Sequence, residues 1–282
     1  MWRLKAPHAR QAQREVVTAL TSNGRLVHPL PIARRQAIAS LYAQYDRRRG
    51  RPDPTLKGVG FPQAFLAAMH DAYDQVQESG RLSQLRTRLK LGATKCPYCG
   101  FGEIYSLDHH LPRSKYELLA IYAKNLVPCC HVCNHKKRAL ASDDPNEHIA
   151  HVYLDAFPRG RFLVAQIAAG KDRFRATFQI RRCSGMSAEL FARLKFQLDR
   201  FALNARYQAE VNDLLVSHQL SIESNATTPR RLRRFLRSTR DSFRASYGLN
   251  HWRTALFHAL AQSDDFISGG YRNCFPKRRP GA

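Results

Sequence analysis

Two Cys-x-x-Cys units, Cys96-Pro-Tyr-Cys99 and Cys130-His-Val-Cys133, stand about thirty residues apart in this chain and limit what it can fold into more than any other feature. Each such turn aims two thiolates at one ion. Two turns complete a closed tetrahedral zinc site that contributes folding energy and keeps no open coordination position. The start MWRLKAPHAR lacks the apolar run of a signal peptide, and no stretch reaches the roughly 18 to 20 apolar residues of a bilayer span. A cytoplasmic, reducing location without membrane contact is therefore expected, where spaced cysteines point to metal before disulfide. Cys129 could stand in for its neighbour, but only Cys130 leaves the two-residue gap to Cys133. His131, between the ligands, is expected to face solvent.

Between the cysteine pairs lie LDHHLPRSKY and NLVPCCHVCNHKK. The order Cys96/Cys99, Asp108-His109 with Pro112, Asn125-Leu126, then Cys130 through Lys137 resembles the HNH (ββα-metal) endonuclease superfamily, over about fifty residues. The resemblance implies a β-hairpin followed by a helix, supported by a treble-clef zinc site. It also implies that Asp108 holds a catalytic Mg²⁺ or Mn²⁺, that His109 is the general base, that Asn125 holds the base-bearing strand in place, and that Asn134 is the second metal ligand. Many members carry histidine where this chain has Asn134, and an amide oxygen suits a hard cation better than imidazole does. Such a site performs phosphodiester hydrolysis. A neutral imidazole takes a proton from water, and a divalent cation bound through few protein oxygens is free to meet the scissile phosphate. Asp108 and His109 are adjacent, so a regular strand points them to opposite sides, and an irregular strand end is expected. His110 is the competing base. His148 and His151 could support the site or be structural histidines. The wording also resembles a subgroup of bacterial antiphage-defence nucleases, such as the Septu and Zorya subunits, which implies a protein partner from such a system.

The charge agrees with a polyanionic substrate. Lys and Arg number 46 against 22 Asp and Glu, a formal net charge of +24, and such a field attracts nucleic acid at long range. DNA is favoured over RNA as the partner. Arg113, Lys115 and Lys137 are candidate phosphate contacts beside the motif. In PRRLRRFLRSTRDSFR, a helix makes one basic stripe that includes Arg233, Arg237 and Arg240, with Leu232, Phe235, Leu236 and Phe243 turned to the core. The other function class is a zinc-stabilised nucleic-acid-binding or partner-docking module without catalysis, for which Asp108, His109 and Asn134 are not needed.

Periodicity outside the motif is mostly helical. Prolines 7, 31 and 62 precede helical patterns, and residues 47–62 read as a loop. A basic helix runs over about 82–91, and a β-hairpin near 161–181 turns at AGKD. One helical stretch follows Ser187, another opens at Pro229, and Asn250 is expected to cap the last. The expected fold is therefore α+β and mostly α, with the ββα zinc module (93–143) between a helical N-terminal region (1–92) and a basic C-terminal region of hairpin and helices (144–282).

Overall fold

The computed structural model describes residues 3–169 and 174–275, which form two compact units, one ending at Phe157 and the other beginning at Pro158. The fold is α+β and mostly helical, and the described residues form three small sheets of two strands each.

In the N-terminal unit, α1 (Ala12–Ala19), α2 (Ile32–Arg47), α3 (Gln63–Asp71) and α4 (Ser83–Leu91) start where the prolines and the basic pattern place them. Pro31 and Pro62 occupy the N-cap positions of α2 and α3. A short antiparallel pair, β1 (Thr21–Ser22) and β2 (Arg25–Leu26), joins α1 to α2. On α2, Ile38, Leu41, Tyr42 and Tyr45 recur at steps of three and four and are buried as one stripe. The core they enter also takes Val16, Phe65, Met69 and Leu89 from the other helices, and Leu107, Leu111, Leu118, Tyr122 and Leu126 from the segment between the cysteine pairs. The N-terminal helices and the ββα module therefore share a single core, so the sequence-level boundary at residue 92 does not separate two hydrophobic interiors.

The module has the expected order. β3 (Ser106–His109) pairs antiparallel with β4 (Leu126–Cys129), with Asp108 opposite Val127 and His109 opposite Leu126, and α5 (His131–Lys137) follows. The ladder is regular through His109, and the expected irregularity begins at the next residue, where the chain bends.

In the C-terminal unit, β5 (Leu163–Ala169) and β6 (Phe174–Ile180) form the expected hairpin; part of its predicted AGKD turn lies outside the described residues. Where one helical stretch was expected after Ser187 there are two, α6 (Ala188–Arg200) and α7 (Leu203–Ser217), because Ala202 adopts φ 49°. With the break there, Phe201 and Leu203 are both fully buried, and Asn204 bonds both backbone groups of Phe178 on β6. Gln208 accepts from the Ala176 N–H one turn on. After α8 (Gln219–Asn225), Thr228 caps α9 (Pro229–Tyr247). His251, not Asn250, caps α10 (Trp252–Leu260). Asn250 instead accepts from the N–H groups of Phe162 and Leu163 and donates to the Gly160 carbonyl. α11 (Asp264–Ile267) and a 3₁₀ turn at Gly270–Cys274 follow.

Candidate metal centre and active site

The four cysteines of the paired turns converge. Their sulfurs lie within 4.8 Å of one another and are buried. Four thiolates about 2.3 Å from a tetrahedral zinc stand about 3.8 Å apart, and the Cys99 and Cys130 sulfurs are 3.9 Å apart. The cluster could hold one zinc ion. Backbone geometry serves it: Gly100 takes φ 83°, and the N–H groups of Gly102 and Cys133 donate to the sulfurs of Cys99 and Cys130. A Cβ on Gly102 would meet Cys130 Cβ at 2.7 Å, so only glycine fits at this turn. Cys129 points elsewhere, its sulfur 3.6 Å from the Ser106 hydroxyl on β3, and His131 is exposed as expected.

Beside this frame a cleft of about 700 Å³ is lined by Asp108, His109 and Asn134. His109 ends β3 with its ring 4.4 Å from that of Tyr73. Its Nε2 is 2.8 Å from the Ala120 carbonyl, which can only accept, so Nε2 carries the proton and Nδ1 carries the lone pair. Burial, followed by the Arg113 and Lys137 charges, outweighs that hydrogen bond and lowers its pKa to about 3, leaving the imidazole neutral at pH 7.

Asp108 is buried, with Oδ2 accepting from the Tyr98 hydroxyl at 3.0 Å and Oδ1 from Lys137 Nζ at 3.1 Å. Burial raises its pKa, and the Lys137 charge and the hydrogen bonds from Lys137 and Tyr98 oppose that rise. Lys137 therefore does not meet phosphate as the sequence suggested. It is 1% exposed and also donates to the His109 carbonyl at 2.6 Å, tying α5 to the end of β3. Asn134, one turn earlier on α5, donates to the Ser106 hydroxyl at 3.0 Å.

Asn125 is fully buried and spends its whole hydrogen-bonding capacity. Its Oδ1 accepts from the Leu111 N–H and the Tyr45 hydroxyl, and its Nδ2 donates to the carbonyls of Leu111 and Leu119. Its own carbonyl accepts from the His110 N–H at 2.7 Å. These bonds fix the bend immediately after His109. Behind them runs a chain the sequence did not disclose. The Tyr153 N–H donates to His151 Nδ1, His151 Nε2 donates to the Tyr45 hydroxyl, and Tyr45 donates to Asn125. His151 is thus a buried support. His110 packs against it, ring centroids 4.1 Å apart and tilted by 40°, and does not line the cleft, so it is badly placed to replace His109.

Replacing Asn125 with alanine leaves several buried groups unpaired at about 1–3 kcal/mol each, and an overall loss of roughly 3–5 kcal/mol in urea unfolding is expected. Tyr45→Phe, which removes one link only, is expected to cost about 1–2 kcal/mol. An Asn125→Ala chain as stable as wild type would remove Asn125 from this role.

Among the expected phosphate contacts, Arg113 lines the cleft, stacked over Tyr73 and bonded to the His70 carbonyl, whereas Lys115 is exposed outside it. Arg86 and Lys90, four residues apart on α4, and Arg138 after α5 line the same cleft. Motif reading passed over these three because nothing local marks them as facing His109. In the C-terminal stripe, Leu232 and Leu236 are buried as expected. Arg233, however, is spent on the Ala261 carbonyl and Asp264, and Arg240 forms a fork onto Asp241. Only Arg237 of the three named arginines is exposed without a hydrogen bond or ion pair among the described residues.

The chain is 25% identical over 191 residues to protein ea31 of Escherichia phage lambda, an alignment covering 62% of this chain and 64% of that protein. It thus matches less than two thirds of the relative's length. No protein-family model matches the chain. No solved structure matches it at a significant level. Among the described residues, no helix is long and apolar enough to cross a membrane.

Proposed function

We propose that the chain is a divalent-metal-dependent HNH endonuclease acting on nucleic acid, with DNA the favoured substrate. The observation that carries this reading is the state of His109. Its Nε2–H is locked onto Ala120, and its Nδ1 makes no hydrogen bond among the described residues, on the wall of a cleft that also holds Asp108 and Asn134. That is the arrangement of a general base held in one tautomer.

The donor set fits Mg²⁺ or Mn²⁺. Asn134 Oδ1 makes no hydrogen bond among the described residues, and the Asp108 carboxylate keeps lone pairs beyond those given to Tyr98 and Lys137. Two protein oxygens leave most positions of a small hard cation to water and phosphate. A cation bound there supplies counter-charge to the pentavalent transition state.

The protein's own groups account for the remaining steps. Nδ1 of His109 takes a proton from water, the hydroxide attacks phosphorus, the phosphorus–oxygen bond opposite breaks with the departing oxygen taking a proton from solvent, and the imidazolium returns its proton to water. Lys137 and Tyr98 hold the Asp108 carboxylate in place. An entering phosphodiester offsets the Arg113 charge and adds negative charge near the ring, which raises His109 basicity from its resting value of about 3. Arg86, Lys90 and Arg138 provide cations along the cleft for the flanking phosphates.

Supercoiled plasmid incubated with Mg²⁺ or Mn²⁺ is expected to be nicked or linearised, and EDTA is expected to prevent it; a structured RNA is assayed in parallel. Binding without metal-dependent cleavage of either substrate would replace the nuclease by the non-catalytic zinc module. The antiphage setting and its partner protein rest on motif wording alone, and a relative encoded by a phage fits a phage-borne nuclease equally well.

A further inference from the structure

We propose that the C-terminal unit carries a second nucleic-acid contact, a site for the phosphodiester backbone formed by Arg161, Arg240, Arg244 and His258. Arg161 lies two residues before β5, Arg240 and Arg244 are one turn apart on α9, and His258 is on α10. α10 packs against both β5 and α9, and Arg161 lies within electrostatic reach of Arg240, Arg244 and His258.

What marks the cluster is missing counter-charge. Arg161 and Arg244 have no side-chain hydrogen bond or ion pair among the described residues. Arg161 Nε and His258 Nδ1 are buried and unpartnered. Asp241 is the one carboxylate beside them: Arg240 donates to it through Nε and Nη2 at 2.9 and 2.8 Å, and its charge also acts on Arg244, so a single carboxylate faces three guanidinium groups. The repulsion is felt within the cluster: burial and then Arg240 and Arg244 push the Arg161 guanidinium down, while burial and then Arg161 and Arg240 bring His258 to about 4. Converged cations that are partly buried and unpaired are costly by themselves, and an anion removes both the repulsion and the unmet donors.

A polymer fits better than a small anion because the cations continue. Arg237 is exposed on the same helix, two turns before Arg244 and about 10 Å away by helix geometry. Spaced charges of this kind hold a repeating backbone and read no bases. The choice of nucleic acid as the polymer rests on the proposed function of the cleft.

The test uses the full zinc-loaded chain with no Mg²⁺ or Mn²⁺ added, so that binding is measured whether or not the cleft cleaves. Fluorescence anisotropy on short duplexes of two unrelated sequences is followed across a salt series. For Arg161→Gln with Arg244→Gln, affinity is expected to fall about tenfold for both sequences near 100 mM salt, with the log–log salt slope flattened by about two units. Lysine at both positions is expected to retain the wild-type slope. Zinc content and melting temperature serve as the folding controls. Should Arg161→Gln fail to fold, the exposed Arg244→Glu is read instead and is expected to weaken binding to both sequences. Unchanged affinity and slope in the folded variant overturn the proposal and leave the cluster to an acidic protein partner. Weakened binding in a chain that never cleaves would defeat the nuclease reading and support this one.

Discussion

Replacing His109 with alanine is expected to slow metal-dependent cleavage by roughly 10²- to 10⁴-fold, the usual contribution of a positioned general base, while the chain stays folded and still binds nucleic acid. The fold should survive because the imidazole contributes one hydrogen bond, to Ala120, and a ring contact with Tyr73. A net hydrogen bond is worth about 1 kcal/mol. Neither the cysteine cluster nor the Asn125 bonds include the ring. His110→Ala is the comparison: it removes a buried ring contact with His151 and should lower stability, with cleavage at permissive temperature close to wild type. If the His109→Ala chain cleaves at the wild-type rate, or if His110→Ala alone abolishes cleavage, the base has been misassigned.

The largest structural effect should come from the zinc site. Structural zinc in small domains is worth about 10–16 kcal/mol, as much as or more than the roughly 5–15 kcal/mol that separates a whole folded domain from its unfolded state. Cys133→Ser is therefore expected to yield zinc-free, largely unfolded protein, and a strong chelator should do the same to wild type on heating. Because the core runs continuously from α1 to Leu126, helical signal across the N-terminal unit should melt together with the module. Cys129→Ala gives the contrast. Its thiol lies outside the cluster, against Ser106, so one bound zinc per chain should be retained with a modest loss of stability. Elemental analysis and circular dichroism read both variants. A Cys133→Ser chain that melts like wild type would rule out a structural metal.

The cysteine cluster was legible in the sequence because each pair is local and its spacing has one good geometric use. Asn125 and the Asp108-His109 step were legible only through family resemblance, since nothing in composition or period separates them from ordinary polar residues. Lys137 was misread because a lysine on a short helix near a basic motif is usually solvated, and only the fold brings the Asp108 carboxylate and the His109 carbonyl onto its ammonium. Tyr45 carries no local sign of its role, because its partners Asn125 and His151 are 80 and 106 residues away. The break at Ala202 carries no glycine or proline, and burial of Phe201 and Leu203 overrode local helix preference there. Asn250 was recognised as a polar anchor but assigned to the wrong neighbour.

The amide side chains along the C-terminal hairpin bear on how another protein could dock there. A two-stranded sheet offers two open borders to which an extended peptide from another molecule could add as a further strand. Here Asn204 and Gln208 already occupy backbone groups of Phe178 and Ala176 on the β6 border, and Asn250 occupies the Leu163 N–H where the β5 border begins. Strand addition at these positions would first have to evict three glutamine or asparagine side chains. A partner recruited to this unit is thus steered away from the β6 border, and the same blockade guards that border against edge-to-edge self-association.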